Sequence, residues 1–424
     1  MNRIDKVLGR RIWDSRGRPT VEVEVTLENG ATGRGIAPAG ASRGTREAID
    51  LRDGGGRLGG FDVRLAVANV NGEIAAALKG RDAADQAGCD LALIDLDGTP
   101  NKSRLGGNAT VAASLAVLHA AAAAAGQPLW RHVAAGRPVR MPLPEIQILG
   151  GGAHAGRRVD LQDFMVMALG ATSFAQALEM TAEVYMAAGS LMKAAGKLAG
   201  VADEGGWWPQ FDANEEALEM LTRSIEHAGF RPRDDVAISL DIAASEFGSG
   251  GQYTLGLEKR RLDSAGMIDM LGRWLDAYPI VSIEDPLAED DEAGLVEFTR
   301  LYGGRCQIIG DDYLVTNAGR VAHAARIGAV NSALIKLNQA GTVSETRAAL
   351  DAASAAGMSA LVSARSGETE DVAITHLAIG WNAGQLKVGS FARSERMAKW
   401  NEGLRIEESS GIPYAGRKAL PHLR

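Results

Sequence analysis

PIVSIE, residues 279–284, is a short apolar run closed by a single acid, and the pattern recurs along the chain. VAISLD (236–241) ends in Asp241, QIIGD (307–311) in Asp311, and SALIK (332–336) in Lys336. Short runs of this kind, rich in Ile, Val and Leu, read as buried strands of a parallel sheet. The steps between their terminal residues are 43, 27 and 25, which bracket the roughly 31 residues per strand-helix unit of an eight-fold barrel of about 250 residues. Active-site groups in such barrels stand at the carboxyl ends of the strands. The expected fold is therefore α/β, an eight-fold parallel β/α barrel with three carboxylates and an amine at one mouth. A single acid after a strand is often only a helix N-cap. Four terminal charges in register, one of them a lysine, point instead to a divalent cation and a base acting together.

A chain of 424 residues exceeds one ordinary domain, and the patterning divides it into a smaller N-terminal α+β domain (1–135) and the barrel (136–424). TVEVEVTL (20–27) alternates with period two, and Glu28-Asn29-Gly30 supplies a turn into ATGRGIA, so residues 3 to 36 read as an antiparallel meander. PAGASRGTREA (38–48) is rich in Gly, Ala and Ser. It predicts a mobile loop near 38–44, followed by a helix beginning near Thr45. Helical patterning runs from about 62 to 134, Gly136-Arg137-Pro138 marks the linker, and PLPEIQIL (142–149) is the first barrel strand.

The net charge of −8 argues against a nucleic-acid or anionic-membrane binder, which needs a concentrated basic face. Any anionic substrate must be captured locally. Cys89 and Cys306 form neither a disulfide framework nor a zinc cluster and read as buried thiols in a reducing compartment. The N-terminus MNRIDKVLGRRIWD lacks the apolar core of a signal peptide, so cytoplasmic residence is the expectation. ATVAASLAVLHAAAAAAG (109–126), with Asn108 as N-cap, is marginal in length for a bilayer and driven mainly by alanine. A buried helix with close neighbours is the expected outcome.

DSRGRPTVEVEV (14–25), ASRGTREAIDLRDG (41–54), DEGG (203–206), LDIAASEF (240–247), YPIVSIEDPLAEDD (278–291), GDDYLVTN (310–317), LIKLNQAGT (334–342), RSGETED (365–371) and NAGQLKVGS (382–390) follow one another in order. On these motifs the chain resembles the enolase family over nearly its whole length. The resemblance implies a Mg²⁺-dependent, reversible dehydration of 2-phosphoglycerate to phosphoenolpyruvate. Taking a proton from the carbon beside a carboxylate adds charge to an ionised group, so strong cations in a dry site are needed.

By resemblance, Asp241, Glu284 and Asp311 hold one Mg²⁺ with hard oxygen donors, and Ser42 closes over a second. Lys336 is the implied base, a lysine beside magnesium being the superfamily's pattern. Its ordinary pKa near 10.4 must fall through burial and neighbouring cations before it can act. Glu204 matches the acid that helps the hydroxyl leave. Arg365 and Ser366 match the phosphate-binding pair, where a guanidinium gives two parallel hydrogen bonds, and Lys387 binds substrate charge. His154, Gln162 and Asp163 match further pocket positions. A small anionic phospho-acid is the implied partner, and a homodimer or higher homo-oligomer the implied assembly.

Several residues depart from the family pattern. Ala364 stands where the family has a histidine, Asp163 where it has a glutamate, and Arg43 where it usually has a threonine. Trp207-Trp208-Pro209 replaces a single aromatic followed by alanine, putting a second indole next to Glu204, and Gly150 and Ala153 replace polar residues. These changes leave three readings open: a working or retuned enolase, a diverged family enzyme acting on a phosphonate or other phospho-acid, and a noncatalytic binding protein on the same scaffold.

Overall fold

The structure, a computed structural model, describes residues 2–41 and 44–423. β1 (Ile4–Trp13), β2 (Pro19–Leu27) and β3 (Thr32–Ile36) pair antiparallel in the order β1-β2-β3. The alternation seen in TVEVEVTL puts Val21, Val23 and Val25 wholly inside. The helix Gly107–Ala124 covers this sheet at backbone distance: a Cβ added at Gly33 would lie 2.1 Å from the Ala120 nitrogen, and one at Gly35 would lie 2.5 Å from the Ala112 carbonyl oxygen. Alanine on one surface and glycine on the other permit that approach. This helix alone among the described residues is long and apolar enough to cross a bilayer, and 83% of it is buried inside the fold. Asn108 does not cap it; its side chain instead pairs with the Leu51 backbone from within the first turn.

The second unit is a closed eight-stranded barrel. Its strands are β4 (Leu143–Gly150), β5 (Asp163–Met167), β8 (Ala237–Asp241), β12 (Ile280–Glu284), β13 (Gln307–Gly310), β14 (Ser332–Ile335), β15 (Ser359–Ser363) and β16 (Gly384–Ser390), with β16 pairing back onto β4. A hairpin of β6 (Leu198–Val201) and β7 (Trp207–Pro209) extends from β4. A separate three-stranded sheet of β9 (Gly248–Ser249), β10 (Gln252–Leu255) and β11 (Arg260–Asp263) is inserted between β8 and β12. That excursion accounts for the long step of 43 residues between Asp241 and Glu284.

Two further expectations need correction. The barrel is not wholly parallel, because β5 runs antiparallel to both β4 and β8. The link from Gly150 to Asp163 carries only the short 3₁₀ turn Gly152–Ala155, whereas a parallel return needs a crossover element. Reversal carries the start of β5, with Gln162 and Asp163, to the mouth where its neighbours end; Asp163 pairs in register with Asp241. The helix expected near Thr45 is also absent, and residues 44 to 54 form turns and extended chain. Their backbone is engaged elsewhere: Ala48 N–H donates to the Gln339 carbonyl at 2.8 Å and Ile49 N–H to that of Asn101 at 2.8 Å.

The contact between β3 and the helix Gly107–Ala124 generates a direct test. Gly33→Val forces the two backbones apart, and overpacking of this kind costs about 3 kcal/mol. Urea unfolding should register that loss, while a surface control such as Gly72→Ala, which has open space around it, should register little.

Candidate active site

Two turns at the barrel mouth are held in place, one by glycine within the barrel and one by contacts with the N-terminal unit. Gly205 has φ +97, and a Cβ there would meet the Ala392 carbonyl at 2.4 Å; Gly206 N–H donates to Gln147 Oε1 at 2.9 Å. These contacts hold the turn that presents Glu204. Gly367 and Ala39 exchange backbone hydrogen bonds at 2.8 and 2.9 Å, and Ser15 N–H donates to the Glu368 carbonyl at 2.8 Å. The fully buried Arg396 donates to the Arg365 carbonyl at 2.7 Å. Arg365 and Ser366 are thereby clamped from both sides.

His154, Gln162, Asp163, Glu204, Asp241, Lys336, Ala364, Arg365, Ser366 and Lys387 line one polar pocket, and each is buried. Glu284 and Asp311 lie against it through the lysines. Lys387 Nζ donates to Asp241 Oδ2 at 2.9 Å and Glu284 Oε2 at 2.7 Å, while Lys336 Nζ is paired with Asp311. Gln162 Nε2 donates to Asp241 Oδ2 at 3.1 Å. Ser42 and Arg43 lie outside the described residues. A roomier cavity of about 400 Å³ lies between β3 and the 370–372 segment, but the titratable groups converge on the smaller pocket.

The electrostatics follow from burying five charges together. Burial and the facing Asp241 push Glu284 well above the usual carboxylate range, against the opposing pull of Lys387. For Lys387, burial acts downward but Asp241 and Glu284 override it, leaving it well above its ordinary value. Burial likewise acts to lower Lys336, aided by Arg365, yet Asp311 carries it upward. Without a further cation, each lysine serves as counterion to the acids.

His154 links the other side of the pocket. Its Nδ1 meets Asp163 Oδ1 at 2.9 Å and its Nε2 meets Ser366 Oγ at 3.0 Å, with Glu204 Oε1 at 3.6 Å. Burial alone would lower the imidazolium, but Asp163 and Glu204 outweigh it and raise His154 to about 9. Burial would raise Asp163, but His154 and Lys387 hold it down to about 2.

Sequence reasoning missed Glu47, which pairs with Arg365, and Asp285, which accepts from the Asp311 and Asp312 N–H groups at 2.8 and 2.9 Å. Both are acids in motifs already singled out, so only their contacts distinguish them. Trp208 lies beside Gly156 of the His154 turn, while Trp207 stacks on Tyr185 with centroids 4.6 Å apart. Gly150 is a packing requirement, since an added Cβ would stand 2.6 Å from that of Ala202.

The donor set suits a hard divalent ion. Asp241, Glu284 and Asp311 offer only oxygen, and Glu284 Oε1 is buried with no hydrogen-bond partner among the described residues. Among the described residues, two groups already have ligand atoms within 4.8 Å of one another: His154 with Asp163 and Glu204, and Asp285 with Asp311 and Asp312. The trio Asp241, Glu284 and Asp311 is not so closed, its oxygens being drawn onto two lysines.

In comparisons with known families, the model described as enolase, N-terminal domain, matches residues 4–133. The one described as enolase, C-terminal TIM barrel domain, matches residues 138–422.

The His154 pair gives a signed pH expectation for the metal-free protein. A group raised from 6.5 to about 9 contributes stability that is complete below 6.5 and lost as pH rises through 9. Asp163→Asn should drop the His154 titration, followed by imidazole NMR, and flatten that high-pH loss in denaturant unfolding. An unchanged midpoint would remove Asp163 as the cause.

Proposed function

The chain belongs to the enolase family, and from that membership we propose that it is a hydro-lyase removing water from 2-phosphoglycerate to give phosphoenolpyruvate. One observation carries the reading: Lys336, Glu204, Arg365 and Ser366 line a single buried pocket together with the carboxylates Asp163 and Asp241. A base, an acid and an anion site are what the elimination requires.

Asp241, Glu284 and Asp311 would hold Mg²⁺, which when bound supplies electrostatic stabilisation for the extra charge on the substrate carboxylate. Lys336 takes the proton from the adjoining carbon. Burial, Arg365 and Lys387 all favour its neutral form while Asp311 and Glu284 oppose them, so the amine becomes a base when those two acids are engaged elsewhere. Glu204 delivers a proton to the departing hydroxyl, and His154 stands 3.6 Å from that carboxyl. Arg365 and Ser366 receive the phosphate, the guanidinium by parallel N–H bonds. Deep burial of the set limits water and strengthens each interaction. Ser42 and a second Mg²⁺ belong to this reading on the resemblance alone.

A second reading has its own support. Ala364, on the pocket wall at 7% exposure, offers a methyl group where the family has a ring donor, and Asp163 is committed to His154. Both favour a phospho-acid of different shape, or a phosphonate, handled by the same acid and base. Spared acid, base and metal-type residues weigh against a noncatalytic scaffold.

Phosphoenolpyruvate formation from 2-phosphoglycerate with Mg²⁺, run beside phosphonate analogues, separates these readings. Turnover of 2-phosphoglycerate supports the first, and Ala364→His should then raise it. Turnover of an analogue alone supports the second, and turnover of neither would sink both. Lys336→Ala should slow solvent-hydrogen exchange at the substrate carbon by about 10³-fold, within the range of a lost general base. Exchange at the wild-type rate would remove Lys336 from that role.

A further inference from the structure

The guanidinium assigned to substrate phosphate already has an anion on it. Arg365 Nη1 donates to Glu47 Oε2 at 2.9 Å and Nη2 donates to Glu47 Oε1 at 3.2 Å, a bidentate pair whose side chains are 4% and 6% exposed. Nη1 also donates to Asn338 Oδ1 at 3.0 Å. Glu47 comes from the segment after β3, whereas Arg365 follows β15, so the pair spans the boundary between the two units.

Glu47 keeps partners of its own. Its Oε1 accepts from Gly44 N–H at 3.1 Å and from Gln339 Nε2 at 3.2 Å. The same Gln339 nitrogen donates to Asp311 Oδ1 at 2.8 Å. If Arg365 turns away, the carboxylate therefore retains two donors and is not stranded. Breaking a buried ion pair is expensive chiefly because it leaves one charge uncompensated. Here the incoming phosphate compensates the arginine and the retained donors serve the glutamate.

We propose that Glu47 is an internal counter-anion that competes with substrate phosphate for Arg365, so that the segment after β3 sets the affinity of the anion subsite. The inference rests on the assignment of Arg365 to an anionic substrate group. It gives Glu47 a role beyond tying two units together, with a consequence opposite in sign to that of a structural tie. Removing a tie loosens the site and weakens anion binding. Removing a competitor strengthens it.

The test is inorganic phosphate binding to the full-length protein with Mg²⁺, by calorimetry, in wild type, Glu47→Gln, Arg365→Ala and the double variant. Glu47→Gln should bind phosphate at least about tenfold more tightly, the scale expected when a like charge at contact distance is removed from a partly screened interior. Arg365→Ala should abolish binding in either background. Equal or weaker binding in a folded Glu47→Gln protein, with wild-type binding still dependent on Arg365, overturns the competitor role and leaves the site assignment standing. Binding that ignores Arg365→Ala in every background overturns both. Should Glu47→Gln fail to fold, Glu47→Asp, whose carboxylate is withdrawn by one methylene, reads the same competition. A smaller gain in affinity supports the proposal, and no gain rejects it.

Discussion

Asp241, Glu284 and Asp311 face Lys336 and Lys387 in a barrel mouth from which water is largely excluded, and the rest of the molecule is arranged around that confrontation. Such a cluster is a poor source of stability, because desolvating ions offsets most of their attraction. Its members are nonetheless mutually dependent, since removing one partner of a buried pair costs about 3–5 kcal/mol. The lysines neutralise the acids, and the same contacts keep both amines charged until the acids find another cation.

The barrel supplies position and the N-terminal unit supplies enclosure. β8, β12, β13 and β14 end side by side, so residues far apart in sequence meet at one level. The reversed strand β5 adds Asp163 to that level from its own beginning. From the other unit, Ser15 and Ala39 grip the RSGE turn and Glu47 reaches Arg365. The Arg365 and Ser366 side of the pocket is therefore built from both units, while Asp241, Glu284, Asp311, the two lysines and Glu204 come from the barrel alone.

Much of this was legible in the chain because buried strands have a strong signature. Apolar runs ending in charges gave the barrel and the residues at its mouth, and the alternation in TVEVEVTL gave the meander. The direction of β5 was not visible in DFMVM, since a fully buried run looks alike in either sense; the short link before it was the available clue. The segment from Gly44 to Gly54 resembled a helix start, but its N–H groups are taken by Gln339 and Asn101, partners over fifty residues away. Glu47 was hidden for the same reason, because its meaning lies in contact with Arg365 and not in its neighbours. Gly150 illustrates the converse, a departure in sequence that packing against Ala202 explains without reference to substrate.

The central claim is that the three strand-end acids form a cation site that the lysines occupy by proxy. A crystal structure grown with Mn²⁺, located by its anomalous signal, tests this most directly. The account predicts one ion ligated by Asp241, Glu284 and Asp311, with Lys387 withdrawn from the first two and Lys336 from the third. An ion found only on His154, Asp163 and Glu204, or only on Asp285, Asp311 and Asp312, with both lysines still seated on the trio, would contradict it.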